Sequence, residues 1–93
     1  MPAPYLLTVD LGTSGPKAAV VGIDGQVVGS GQAKVSTLFP EAGAAEQDPA
    51  EIWSATLATC ATALAESRTT AAVEPNDVVA VIISSQYSSI VPV

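Results

Sequence analysis

The first three apolar segments of the chain predict an antiparallel meander of strands. Tyr5–Val9 (YLLTV) and Lys17–Ile23 (KAAVVGI) are short, apolar and partly β-branched, which is typical of buried strands. Asp24-Gly25 separates two apolar runs, and glycine accepts the positive φ that a tight hairpin requires. We therefore expect Gln26–Val35 to return as a third strand, with its glycines marking a bend or bulge.

A helix is predicted after a loop that covers residues 36–49. Asp48 is suited to cap the helix, Pro49 fits its first position, and Glu51 follows at capping-box spacing. We expect the helix to end near Ser67. The apolar residues that recur at helical spacing predict one core-facing stripe. Its members are Ile52, Trp53, Leu57, Cys60, Ala61 and Leu64.

The last apolar run, Val78–Ile83 (VVAVII), predicts a strand that is covered on both faces, as in a parallel sheet. A crossover helix makes this strand parallel to a strand of the meander, and we expect the first strand to be its neighbour. The fold class is therefore α/β. Residues 90–93 are still apolar, and an open sheet would leave a strand edge unpaired, so we expect the chain to be the front piece of something longer.

Polar residues follow two of the predicted parallel strands at their carboxyl ends. Asp10–Ser14 follows the first strand, and Ser84–Ser89 follows the last. In open α/β sheets, ligands bind outside the carboxyl ends of the parallel strands. We therefore expect both polar segments to border one crevice.

The loop DLGTSGPK carries the chemistry expected of a phosphate site. It is not a Walker A loop, because a strand and not a helix follows it. Its glycines allow the backbone to approach a ligand, and turn N–H groups can form an anion-binding concavity. Asp10 would repel phosphate, so its expected role is to hold Mg²⁺. The residues that would bind phosphate are Gly12, Thr13, Ser14 and Lys17. The same string is also good turn chemistry, so a purely structural turn is the alternative.

Composition narrows the classes of function. The chain has 93 residues, enough for one small domain, and 48% of them are hydrophobic. A net charge of -6 with three basic residues argues against binding to nucleic acid or an anionic membrane. The lone cysteine and the lack of histidine exclude an internal disulfide and a Cys/His pair. Without a basic, apolar leader or a span of about 18 apolar residues, we expect a cytoplasmic location.

Three segments together resemble the amino-terminal start of the FGGY carbohydrate kinases. They are LTVDLGTSGPKAAVVGIDGQVV, EAGAAEQDPAEIW and VVAVIISSQYSS, and the resemblance covers nearly the whole chain, from about Tyr5 to Val93. The D-x-G-T-S loop is shared across the superfamily of sugar kinases, Hsp70 and actin. The EQDP segment, followed four residues later by Trp53, is more typical of FGGY kinases.

The resemblance implies a partial ribonuclease H-like domain, as in actin-like ATPases, with residues 1–93 forming the amino-terminal part of the first kinase domain. It implies transfer of the ATP γ-phosphate to a sugar or polyol hydroxyl, with Mg²⁺ as cofactor. The remainder of the kinase chain would supply the catalytic aspartate and the adenosine site, and the intact enzyme can form a homodimer. We therefore expect the isolated chain to be inactive.

The resemblance also assigns residues. Asp10 matches the aspartate that works with Mg²⁺; Gly12, Thr13 and Ser14 match the loop around the phosphates, and Lys17 its basic end. Gln86, Tyr87 and Ser88 match the stretch that faces the sugar. Xylulose kinases typically read Gly-Gln-Met-His-Gly there, and this sequence lacks the Met-His pair, which puts xylulose specificity in doubt.

A second departure is Gly15-Pro16 in the loop, where proline removes one N–H donor. Two other functions stay open on the residues alone. One is another actin-like or Hsp70-like ATPase, and the other is a non-catalytic truncated module that associates with a partner.

Overall fold

Within residues 4–85, which the computed structural model describes, four strands form one mixed sheet and one α-helix packs on one of its faces. The elements are β1 (Tyr5–Gly12), β2 (Gly15–Gly22), β3 (Val27–Gln32), α1 (Pro49–Ala71), a 3-10 helix (Pro75–Asp77) and β4 (Val78–Ser85). Strands β1 and β2 are antiparallel, as are β2 and β3, whereas β4 pairs with β1 in parallel, which gives the order β3-β2-β1-β4. This topology confirms the predicted meander, crossover helix and parallel strand.

The core lies between α1 and one face of the sheet. Tyr5, Leu7 and Val9 alternate along β1 and are buried. The strand register pairs Leu7 with Val20 and Val9 with Ala18, so the apolar residues of β1 and β2 share one face. Because side chains alternate across a strand, the residues between them face the other side and are more exposed.

Helix α1 packs on the sheet through small residues. Thr59, Ala63 and Ser67, spaced four residues apart, are its buried positions. They lie against Gly29 and Gly31 of β3. A Cβ atom at Gly29 would lie 2.3 Å from the carbonyl oxygen of Ala63, and one at Gly31 would lie 2.7 Å from that of Thr59. The helix therefore approaches the sheet closely enough that only glycine fits beneath it.

The predicted apolar stripe was wrong about which side of the helix is buried. Trp53 is 64% exposed and Leu57 is 51% exposed, and Ala61 is exposed as well. Ile52, Cys60 and Leu64 are partly buried, and of these Cys60 and Leu64 pack against the core. Burial raises the pKa of the Cys60 thiol. The reason is that the glycines of β3 leave room for close approach, and the small buried residues of α1 pack into that room.

Strand β4 is not covered on both faces within residues 4–85, which corrects the prediction for this run. Val79 is 61% exposed and Ile83 is 64% exposed. Strand β4 is the edge strand of the described sheet, and α1 lies over β2 and β3, so the helix does not cover the face of β4. The continuous apolar sequence of β4 therefore indicates a surface that this part of the chain does not bury.

The ends of α1 follow the sequence signals in part. Asp48 is the N-cap and accepts a hydrogen bond from the Ala50 N–H at 2.9 Å, with proline next in the chain, as predicted. Glu51 does not complete the expected capping box: its carboxylate accepts hydrogen bonds from the N–H and hydroxyl of Ser36. The helix also continues past Ser67, which is buried, and stops where Ala72 adopts a left-handed conformation with φ 55°.

We expect Gly29→Ala to lower the free energy of unfolding by about 3 kcal/mol, because the added methyl group would collide with the backbone of α1. Urea denaturation followed by circular dichroism measures this change. The control is Ser30→Ala on the same strand, whose exposed side chain makes the effect small, within about 0.5 kcal/mol. Equal stability of the two variants would contradict the proposed close packing.

Candidate functional site

A two-residue turn joins β1 to β2 at the carboxyl end of β1. Strand β1 continues to Gly12, the turn consists of Thr13 and Ser14, and β2 starts at Gly15. Asp10 therefore lies inside β1 and not after it, which shifts the predicted strand end by three residues. The rigid ladder of β1 and β2 consequently fixes the position of Asp10 relative to the turn.

Three polar side chains meet on the sheet face opposite α1. Asp10 pairs with Lys17 across β2 and with Ser84 across β4, so all three project to the same side. The Ser84 hydroxyl donates a hydrogen bond to Oδ1 of Asp10 at 3.2 Å. Together with Thr8 and Ile82, these residues line a cleft of about 300 Å³. The structure thus brings the carboxylate and the lysine of the loop into one cleft.

The Lys17 ammonium group is available to an anion. Within residues 4–85, Arg68 and Glu74 form an ion pair within 4 Å, whereas Lys17 forms no ion pair at that distance. Lys17 is exposed although it stands directly opposite Asp10 in the ladder. A second cleft, of about 340 Å³, lies between Lys17 and the turn residue Ser14. The lysine therefore borders both the carboxylate and the turn.

Both carbonyl groups of the turn are held by the body of the protein. The side-chain amide of Gln47 donates to the Thr13 carbonyl oxygen at 2.7 Å, and the N–H of Val35 donates to the Ser14 carbonyl oxygen at 3.0 Å. The N–H groups of Thr13 and Ser14 donate no hydrogen bond to any group in residues 4–85. They remain as donors for a ligand.

The two loop positions are glycine for different reasons. Gly15 has φ 143°, and a Cβ atom there would lie 1.9 Å from the carbonyl oxygen of Ala33, so the fold itself requires glycine. At Gly12 the nearest atom to a Cβ would be 3.6 Å away, an ordinary contact. The described fold therefore gives no reason for glycine at position 12, whereas close approach of a ligand would. Pro16 is buried on the side of the sheet that faces α1.

Sequence reasoning missed two contacts of the site. The hydrogen bond of Ser84 to Asp10 depends on the register of β4, and the bond of Gln47 to Thr13 joins residues 34 positions apart. The one sequence signal that included Gln47 was the EQDP string, which was interpreted as the start of a helix. The predicted sugar-facing residues Gln86, Tyr87 and Ser88 lie outside the described residues.

The described residues contain neither a cluster of metal-ligating side chains nor a membrane-spanning helix. No group of three or more His, Cys, Asp or Glu side chains within residues 4–85 is arranged to hold a metal ion. No helix in the same range is long and apolar enough to cross a membrane.

Comparison with known proteins places the chain in a family. The model of the N-terminal domain of the FGGY family of carbohydrate kinases matches residues 5–93. The glycerol kinase of Ralstonia nicotianae is 47% identical over 68 residues, which cover 73% of this chain and 14% of that protein. The glycerol kinase of Alcanivorax borkumensis is 39% identical over 88 residues, which cover 95% of this chain and 17% of that protein.

Structure gives the same grouping. A crystal structure of a xylulose kinase from Brucella ovis superposes with a TM-score of 0.70 at 32% identity, covering 88% of this chain and 16% of that one. The chain thus has the α/β fold of part of a sugar-kinase domain, which is consistent with a partial actin-like ATPase fold. The chain belongs to the FGGY family of carbohydrate kinases. It spans 14% to 17% of the length of these glycerol kinases.

Stability measurements can distinguish the roles of the two loop glycines. Gly15→Ala is expected to lower the free energy of unfolding by about 2–3 kcal/mol, because the methyl group meets the Ala33 carbonyl and the φ is strained. Gly12→Ala should change stability by less than about 0.5 kcal/mol, since its contact distance is ordinary. Thermal unfolding followed by circular dichroism compares them. A large loss of stability in Gly12→Ala would show that the fold, and not a ligand, requires this glycine.

Proposed function

We propose that the intact protein is an ATP-dependent kinase that transfers the γ-phosphate to a hydroxyl group of a sugar or polyol. In this proposal, residues 10–17 form one wall of the nucleotide site. The observation that carries it is the turn of Thr13 and Ser14, whose N–H groups have no partner in residues 4–85 and which stands beside a carboxylate and a lysine. Membership in the FGGY family supports the reaction class.

The phosphate contacts follow from the donors of the turn. The N–H groups of Thr13 and Ser14 can together bind an anion, as successive backbone amides do in other phosphate sites. The hydroxyl groups of the same residues add donors, and Lys17 adds a compact positive charge. Gly12, where a side chain would narrow the approach, leaves the backbone open to the phosphates.

Asp10 fits a magnesium ion that is shared with the nucleotide. Mg²⁺ usually takes one or two carboxylates, several waters and phosphate oxygens, and needs no cage of protein ligands. A single exposed carboxylate next to a phosphate-binding turn matches that pattern, and the described residues hold no larger ligand cluster. When bound, the ion would neutralise charge that develops on the phosphates during transfer. Ser84 would keep one carboxylate oxygen oriented by its hydrogen bond.

The acceptor is proposed to bind at the end of β4. Gln86, Tyr87 and Ser88 follow that strand directly, and its parallel pairing with β1 brings the two strand ends together. An acceptor there would lie next to the phosphates bound at the turn. The relatives are named as glycerol and xylulose kinases, so the acceptor class that we propose is a polyol or a sugar.

The proposal is tested by Asp10→Asn in the intact protein, with Asp24→Asn as the matched control. Asp24 lies in the hairpin at the other end of β2, and its Oδ1 accepts a hydrogen bond that asparagine can also accept. We expect Asp10→Asn to lower kcat/KM for phosphoryl transfer at least about a hundredfold, because positioning and charge stabilisation by Mg²⁺ supply much of the rate. The control should match the wild type.

The assay couples ADP formation to a panel of sugars and polyols that includes glycerol and xylulose. Two results would overturn the proposal. One is an intact wild-type protein that phosphorylates no member of the panel; the other is an Asp10→Asn variant that keeps wild-type activity.

We also expect the 93-residue chain by itself to transfer no phosphate. Phosphoryl transfer needs groups that surround the nucleotide and the acceptor, and the chain spans only 14% to 17% of the length of the glycerol kinases. The same coupled assay, run against a control without protein, measures this. Transfer above that control would contradict the expectation.

A further inference from the structure

Gln47 links the turn of the site to the start of α1. Its amide Nε2 lies 2.7 Å from the carbonyl oxygen of Thr13 and 3.4 Å from the hydroxyl oxygen of Thr37. A carbonyl oxygen can only accept, so the amide nitrogen must be the atom that faces it. The hydrogen bond to Thr13 is the shorter of the two, and it joins segments 34 residues apart.

Gln47 is itself held on both sides. The next residue, Asp48, is the N-cap of α1, and the previous residue, Glu46, forms paired backbone hydrogen bonds with Leu38. Its side chain also borders a small cavity under the loop, together with Gly12 and Gly15. The amide therefore projects from a fixed backbone, and the Thr13 carbonyl is the group it positions.

Fixing the Thr13 carbonyl also fixes an N–H group. In a trans peptide, the C=O and the N–H point in opposite directions. The carbonyl of Thr13 and the N–H of Ser14 belong to the same peptide, the central one of the turn. Because Gln47 holds the carbonyl toward α1, the Ser14 N–H points away from α1 and has no partner within residues 4–85.

The central peptide is also the one that a turn can reorient most easily. Turn types I and II differ mainly by rotation of this peptide, which reverses the direction of its N–H while the flanking strands keep their pairing. The neighbouring peptide is held separately, because Val35 donates to the Ser14 carbonyl. The flipped orientation would need a positive φ at Ser14, which serine disfavours and which Ser14 does not have. The backbone preference of Ser14 and the hydrogen bond from Gln47 therefore favour the same orientation of the Thr13–Ser14 peptide.

We propose that Gln47 is a positioning residue that presents the Ser14 N–H to the phosphates of the nucleotide. The inference rests on the proposed nucleotide-binding role of the turn. A donor that is oriented before binding costs no reorganisation when the anion arrives. Loss of the Gln47 amide should therefore weaken nucleotide binding and leave the acceptor site largely unchanged.

The test compares Gln47→Met with Gln47→His in the intact protein. Methionine keeps the length of the side chain and has no donor, whereas histidine keeps an N–H donor. We expect Gln47→Met to raise KM for ATP about fivefold to tenfold, the worth of one hydrogen bond, with KM for the acceptor unchanged. Gln47→His should restore at least half of the loss in free energy. Should Gln47→Met not fold, Gln47→Asn, whose amide is too short to reach Thr13, serves the same comparison.

Two controls separate this inference from the proposed function. Thr37→Val removes the weaker partner of the amide and should leave KM for ATP unchanged. Gly12→Ala should raise KM for ATP whatever Gln47 does. If Gly12→Ala raises KM for ATP and Gln47→Met does not, the positioning role is overturned and the proposed function stands. Equal increases of KM for ATP and for the acceptor in Gln47→Met, without rescue by histidine, also overturn the positioning role. If neither Gly12→Ala nor Gln47→Met changes KM for ATP, the phosphate-binding role of the turn is overturned, and the positioning role of Gln47 with it.

Discussion

The close contact between α1 and β3 determines how the helix and the sheet are arranged. Gly29 and Gly31 leave room for the backbone of α1, and small residues on the helix fill that room. This contact sets where α1 lies on the sheet, and hence where its first turn begins. Because Gln47 directly precedes Asp48, the N-cap of α1, the packing of the helix also sets the position of the amide that reaches the Thr13 carbonyl.

The two faces of the sheet differ in structure and in chemistry. On one face, the apolar residues of β1 and β2 are buried under α1 and stabilise the fold. On the other face, Asp10, Lys17 and Ser84 are exposed and carry polar chemistry. Since alternation along a strand fixes which residues face which way, a strand such as β1 can hold the core and the site at once. The site therefore rests on strands that the core keeps rigid.

Local signals predicted most of the fold. Short apolar, partly β-branched runs indicated the strands, Asp24-Gly25 marked a hairpin, and Asp48 marked the start of the helix, all of which the structure contains. These features depend on neighbouring residues in the chain. The polar loop at the end of β1 was likewise visible, because turn chemistry and position within an α/β sheet can be read from the sequence.

The features that sequence reasoning missed depend on contacts between distant segments. The buried face of α1 consists of small residues, so an apolar pattern pointed to Trp53 and Leu57 instead. The cover expected for β4 is not supplied by α1, which lies over other strands. The hydrogen bond between Gln47 and Thr13 depends on the path of the loop before the helix, which no local periodicity encodes.

Binding of a magnesium-bound nucleotide by Asp10 and the turn of Thr13 and Ser14 can be measured by calorimetric titration. ATP is titrated into the intact protein, with and without Mg²⁺, for the wild type and for Asp10→Ala. We expect Mg²⁺ to strengthen ATP binding to the wild type and Asp10→Ala to lose this strengthening. The same dependence on Mg²⁺ in both proteins would contradict the proposed role of Asp10.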